Sequence, residues 1–221
     1  HVDFASGKIT ALMPGFDGDV PSKPFGGDED FTVAPDGKTV YFSARTAGTT
    51  EPWSTNFDIH SVAITGGALT NLTAANKAWD AAPQLSPDGK FLAYTAMKRP
   101  GFEADRFELQ VRDLATGTVT RVAPDWDRSV GSYQWSADGK SFLVVAQDVG
   151  NTRLFRIDRK TNAITVLSGT GHMDAFHETA KGFVYLKSGL NSPSQLFASK
   201  PKAKRIDEGA TRLTTINSVL D

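Results

Sequence analysis

An all-β fold assembled from β-propeller blades is predicted by three observations. The tripeptide Asp-Gly-Lys recurs at Asp36, Asp88 and Asp138, a period of about 50 residues. Each copy lies between two short apolar runs, the pattern of a hairpin whose turn needs a residue at positive φ. The longest stretch free of Gly and Pro, Asn151 to Ser168, alternates with period two around a turn and leaves no room for a long amphipathic helix.

The repeats fix the elements in order. The blocks are Phe31-Thr-Val-Ala-Pro-Asp-Gly-Lys-Thr-Val-Tyr-Phe-Ser-Ala44, Pro83-Gln-Leu-Ser-Pro-Asp-Gly-Lys-Phe-Leu-Ala-Tyr-Thr-Ala96 and Tyr133-Gln-Trp-Ser-Ala-Asp-Gly-Lys-Ser-Phe-Leu-Val-Val-Ala146, with a degenerate copy from Ala175 to Lys187. A second pair of alternating runs follows each of the first three: Phe57 to Ile64 with Ala68 to Leu72, Phe107 to Leu114 with Thr118 to Val122, and Arg153 to Arg159 with Ala163 to Leu167. Four strands per repeat make a propeller blade, and a β-sandwich would not account for the regular recurrence. The expected blades are 28–76, 77–124, 125–169 and 170–215. Residues 1–27 read as the remnant of an earlier blade, and 216–221 as an exit segment. His1 in place of Met, followed at once by a turn and a strand, reads as a piece of something longer.

Composition narrows the function. The 221 residues are 39% hydrophobic and 10% aromatic, enough for a core. Lys plus Arg number 24 against 25 Asp plus Glu, a net charge of −1, so the basic field of a nucleic-acid protein is missing. No apolar run approaches the ~20 residues of a membrane span. Neither nucleic acid nor membrane is an expected partner. With no cysteine there are no disulfides, thiolate metal sites or thiol nucleophiles. No Gly-x-Ser-x-Gly elbow, phosphate-binding loop or dinucleotide fingerprint occurs, and no cofactor is expected.

Four segments gather chemistry. Gly171-His172-Met-Asp174-Ala-Phe-His177-Glu178 matches no metal-ligand spacing, so no metal is expected there. Phe16-Asp-Gly-Asp19 with Asp28-Glu29-Asp30 reads as a solvated acidic loop rather than a calcium site. Lys200-Pro-Lys202-Ala-Lys204-Arg205 reads as a basic hairpin turn. The segment from Met97 to Arg106 interrupts the second repeat between its hairpins and sets Arg99, Glu103, Asp105 and Arg106 around a rigid Pro100-Gly101. Guanidinium forks and carboxylates on a constrained loop suit recognition of a peptide terminus or side chain, and these four are the candidate substrate-binding residues. The competing reading is an exposed loop held by its own ion pairs.

Thr50-Glu-Pro-Trp-Ser-Thr-Asn-Phe-Asp-Ile59, Asn71-Leu-Thr-Ala-Ala-Asn-Lys-Ala-Trp-Asp80, Met97 to Arg106 and Trp126-Asp-Arg-Ser-Val-Gly131 resemble the propeller of bacterial serine peptidases of the prolyl oligopeptidase family, within its dipeptidyl-peptidase V and acylaminoacyl-peptidase branch. The resemblance covers nearly the whole chain. It implies a non-catalytic propeller that gates and orients short peptides for an α/β-hydrolase domain carrying the catalytic triad, which lies outside these residues. The paired glutamates with which related dipeptidyl-peptidases hold a substrate amine have no motif match here; by chemistry alone, Glu103 and Asp105 are the candidates for that role. The implied partners are short peptides and the hydrolase domain, with pairing of two copies through exposed terminal blades. The alternative from another class is a stand-alone interaction module similar to the propeller of the Tol translocation system. The compartment stays open between periplasm and cytoplasm.

Overall fold

A computed structural model describes residues 1–23, 26–201 and 203–216. It divides into two compact units, His1–Val122 and Ala123–Asp221. Lys202 of the basic turn and residues 217–221 of the exit segment lie outside the described residues.

The first unit carries two four-stranded antiparallel sheets. One runs β1 (Phe31–Val33), β2 (Thr39–Arg45), β3 (Phe57–Ala63) and β4 (Thr70–Asn71). The other runs β5 (Asp80–Leu85), β6 (Phe91–Ala96), β7 (Glu108–Asp113) and β8 (Val119–Arg121). Strands adjacent in sequence are adjacent in space, the usual arrangement for consecutive antiparallel strands. Ile59, Leu92, Tyr94 and Ala96 form a core between the two sheets, with Tyr41, Leu72, Leu85 and Leu114 packed against it. Among its described residues the leading segment contributes no regular strand. Val2 and Ile9 form an isolated bridge, while Leu12, Met13, Phe16 and Val20 cover the core of Phe42, Ala44 and Val62.

The second unit carries β9 (Ser132–Trp135), β10 (Ser141–Asp148), β11 (Asn151–Asp158) and β12 (Ile164–Val166), then β13 (His172–Thr179), β14 (Gly182–Gly189), β15 (Ser192–Ala198) and β16 (Thr211–Arg212). Each group of four is antiparallel, and a single parallel bridge, Thr152 to His172, joins β11 to β13. The repeat pattern gave no sign of that junction. Leu143, Leu154, Met173, Phe176, Tyr185 and Ile206 fill the core of this unit.

The recurring turn explains why its sequence repeats. Gly37, Gly89 and Gly139 sit at φ of 70°, 69° and 67°, where a side chain would be strained. The preceding aspartates accept the N–H of Lys38, Lys90 and Lys140 at 2.9, 3.1 and 3.0 Å. In the second and third copies a buried serine, Ser86 or Ser136, donates to the same carboxylate and accepts the N–H of Phe91 or Ser141. These hydroxyl and amide donors hold the Asp88 and Asp138 carboxyls below their ordinary pKa. Ala34 occupies the serine position of the first copy, so that turn lacks the hydroxyl link.

The acidic run at residues 28–30 is not wholly solvated: Asp30 is buried and accepts 2.7 Å hydrogen bonds from both the N–H and the hydroxyl of Ser22. Its carboxylate closes the leading segment onto the first sheet. No helix among the described residues is long and apolar enough to cross a membrane.

Candidate functional site

Two long connections leave β2 and β6, the second strands of the first two sheets, and they meet. The N–H of Gly101 donates to the buried hydroxyl of Thr55 at 2.8 Å. Beneath them Trp79 stacks on Phe57 at 4.6 Å and meets Phe107 edge-on at 5.9 Å. The aromatic residue before β5 therefore packs sheet against sheet, whereas Trp126, before β9, meets Phe155 of its own sheet edge-on at 5.1 Å.

Asp105 organises the 97–106 connection. Its Oδ2 accepts the N–H groups of Lys98 and Arg99 at 2.9 and 2.8 Å, and its Oδ1 accepts Nε of Arg99 at 3.0 Å. Burial opposes ionisation, but these donors outweigh it and lower the carboxyl pKa to about 2. The Arg99 guanidinium also lies 3.9 Å above the Phe102 ring, and its side chain stays 62% exposed.

Arg106 turns away from this knot to Glu108, whose side chain is only 8% exposed and also meets Nζ of Lys98 at 2.7 Å and Nε of Arg121 at 2.9 Å. Burial raises the Glu108 pKa and the three cations more than offset it, so the net shift is downward. Of the four sequence-predicted residues, then, Arg99 and Asp105 bind each other, Arg106 joins a second cluster, and Glu103 stands exposed without an ion pair among the described residues. The sequence reading missed Glu108, Lys98 and Arg121. The alternation gave no signal, since Glu108 falls in phase with the polar Gln110 and Arg112 and opposite the apolar Leu109 and Val111.

Below the connection lies Asp80, fully buried, with Oδ1 accepting from Asn76 at 2.8 Å and Oδ2 without a partner. Burial pushes its pKa up to about 7; hydrogen bonds from Asn76 and Thr73 oppose this, and the Asp58 charge adds to it. Asn76 also donates to the carbonyl of Met97 at 3.0 Å, which ties this carboxyl to the root of the charged connection.

In the second unit, a cleft of about 580 Å³ is lined by Asn151, Gly171, His172, Ser188 and Asn191. His172 bridges Thr152 Oγ1, 2.6 Å from Nδ1, and Asp174 Oδ1, 3.3 Å from Nε2; Ser188 and Ser194 donate to the same carboxylate. No group of three or more His, Cys, Asp or Glu that would hold a metal occurs among the described residues.

No family model matches the chain. Dipeptidyl-peptidase 5 of Porphyromonas gingivalis is 34% identical over 193 residues, covering 86% of this chain and 28% of that protein. Among solved structures, the β-propeller domain of the Trilobed protease from Pyrococcus furiosus superposes with a TM-score of 0.61 at 17% identity, over 87% of this chain and 54% of that one. TolB from Acinetobacter baumannii gives 0.60 at 20% identity, over 92% and 46%. At these identities the solved structures establish the fold, and the sequence match supplies the relationship. The chain is a β-propeller segment homologous to dipeptidyl-peptidase 5, and it spans 28% of that relative's length.

Proposed function

We propose that this chain is the non-catalytic propeller part of a serine exopeptidase of the dipeptidyl or acylaminoacyl type, gating and orienting short peptides for an α/β-hydrolase domain of the parent polypeptide. The observation that carries this reading is the 34% match to a dipeptidyl-peptidase along 86% of the chain. The 97–106 connection supports it, because an ordered charged segment projecting from a strand end is suited to meeting substrate. On this reading the substrate-binding set is Arg99, Glu103, Asp105 and Arg106, with Arg99 and Glu103 facing substrate, Asp105 positioning Arg99 from within and Arg106 anchored on Glu108. The blade limits 28–76, 77–124, 125–169 and 170–215 belong to the same proposal, as does pairing of two copies, which sedimentation equilibrium tests against a monomer mass of 23.8 kDa.

The test uses the complete enzyme with residues 98–106 replaced by a two-residue turn. Gating predicts that the ratio of kcat/KM for a tripeptide to that for a twenty-residue peptide falls about tenfold. An unchanged ratio rejects gating. A second reading, a stand-alone module that binds a protein partner, is favoured by the TolB superposition over 92% of the chain. Serine-directed fluorophosphonate labelling of the complete polypeptide separates them. A label on a serine outside residues 1–221 supports the peptidase, and no label supports the module.

A further inference from the structure

We propose that Arg99 is a preorganised receptor for a carboxylate, set on a net-positive surface made with Lys98 and Arg106. This rests on the peptide-handling reading above and names the ligand group that the same site takes.

Three observations carry it. Both oxygens of Asp105 are consumed by the Lys98 and Arg99 amides and by Nε of Arg99, so this carboxylate is turned inward, with its side chain 11% exposed. Held at Nε and stacked on Phe102, the guanidinium keeps its two terminal nitrogens unpaired among the described residues while the side chain is 62% exposed. Those nitrogens form the planar fork that matches a carboxylate in two parallel hydrogen bonds. A free arginine loses much of its rotamer freedom on binding; here Asp105 and Phe102 have already removed it.

The surrounding charge favours the same ligand. Lys98, Arg99, Arg106 and Arg121 are set against Asp105 and Glu108, and those two acids are the least exposed members, at 11% and 8% of their side chains. Counting exposed Glu103 as well, the group remains net positive. The acids therefore serve as footings beneath cations whose side chains stay 31% to 62% exposed, and the positive excess steers an anion toward Arg99.

The test is a calorimetric titration of the complete polypeptide with a tetrapeptide bearing a free C-terminal carboxylate, its C-terminal amide, and two amidated versions carrying Glu or Gln in last place. The free-acid form is expected to bind about tenfold tighter than the amide, and the Glu version distinguishes a side-chain carboxylate from the terminal one as the source. In Arg99→Ala the preference for acid over amide disappears; Arg99→Lys, which keeps the charge and loses the fork, retains part of it. Equal affinity for acid and amide in the wild type, or a preference that survives Arg99→Ala, overturns the proposal. If no peptide binds, the peptide-handling reading fails. The receptor is then judged by NMR titration of the arginine side-chain signals with N-acetylglycine against N-acetylglycinamide. A shift of the Arg99 signals with the acid alone sustains it, and no shift overturns it.

Discussion

The link from the second strand of a sheet to the third is built in two ways. In the second unit it is minimal: Val149-Gly150 joins β10 to β11, and Leu190-Asn191 joins β14 to β15. In the first unit the same link occupies residues 46–56 and 97–107. The short form is governed by backbone dihedrals, with Val149 and Gly150 at φ of 47° and 74°. The long form cannot be specified by two dihedrals and is held by side chains instead: Asp105 gathering amides, Glu108 gathering cations, Thr55 holding Gly101. Backbone economy leaves the chemistry of a sheet end to groups on the strands themselves, such as His172 and Asp174; side-chain scaffolding puts charged groups on the connection.

Four changes break or sharpen that contrast. The largest effect is expected at Asp80, under the long connections. Its folded pKa of about 7 lies above the ordinary 3.8, so the folded state retains a proton that the unfolded chain has released. Stability from this group is complete below about pH 4 and is lost as pH rises through 7, by up to about 4 kcal/mol at 1.36 kcal/mol per pKa unit. Urea unfolding at pH 5 and pH 8 should show this slope, and Asp80→Asn should flatten it.

Trp79→Ala removes the ring that meets both Phe57 and Phe107. A loss of about 3 kcal/mol is expected, and faster hydrogen exchange at Gly101 would report the loosened connection.

Glu108→Gln takes the charge from beneath Lys98, Arg106 and Arg121. Because those cations are partly exposed, the cost should stay at about 1 to 2 kcal/mol and shrink in high salt. A salt-independent loss would place the effect in packing.

The smallest change works on the short form. Val149 is β-branched, 86% exposed and held at φ 47°, so Val149→Asn should stabilise by about 0.5 to 1 kcal/mol. Thermal unfolding reads it, and destabilisation would mean that the turn is not dominated by backbone strain.

Most of the strand framework was legible because it rests on local rules. Asp36-Gly37 and its copies need a glycine in the left-handed region, and alternating runs need one buried face. The candidate loop was legible only as a gathering of charge. Arg99 and Asp105, six positions apart, read as a ligand-binding pair, yet the chain folds back so that they bind each other. Arg106 finds its partner two residues on, inside β7, and Arg121 is brought from β8 by strand pairing, which spacing along the chain does not encode. Asp30 was misread for a related reason: an acidic run is normally solvated, and the amide and hydroxyl of Ser22 that bury it come from another part of the leading segment.

The hydrogen bond from Gly101 to Thr55 also bears on how the molecule can change over generations. Surface connections usually vary in length independently, since each touches little besides solvent. Here an insertion that displaced Thr55 would strand the amide at the crest of the neighbouring connection, and with it the segment that presents Arg99. The two connections are thus structurally coupled, and substitutions in 46–56 are expected to track those in 97–107 although some forty residues separate them.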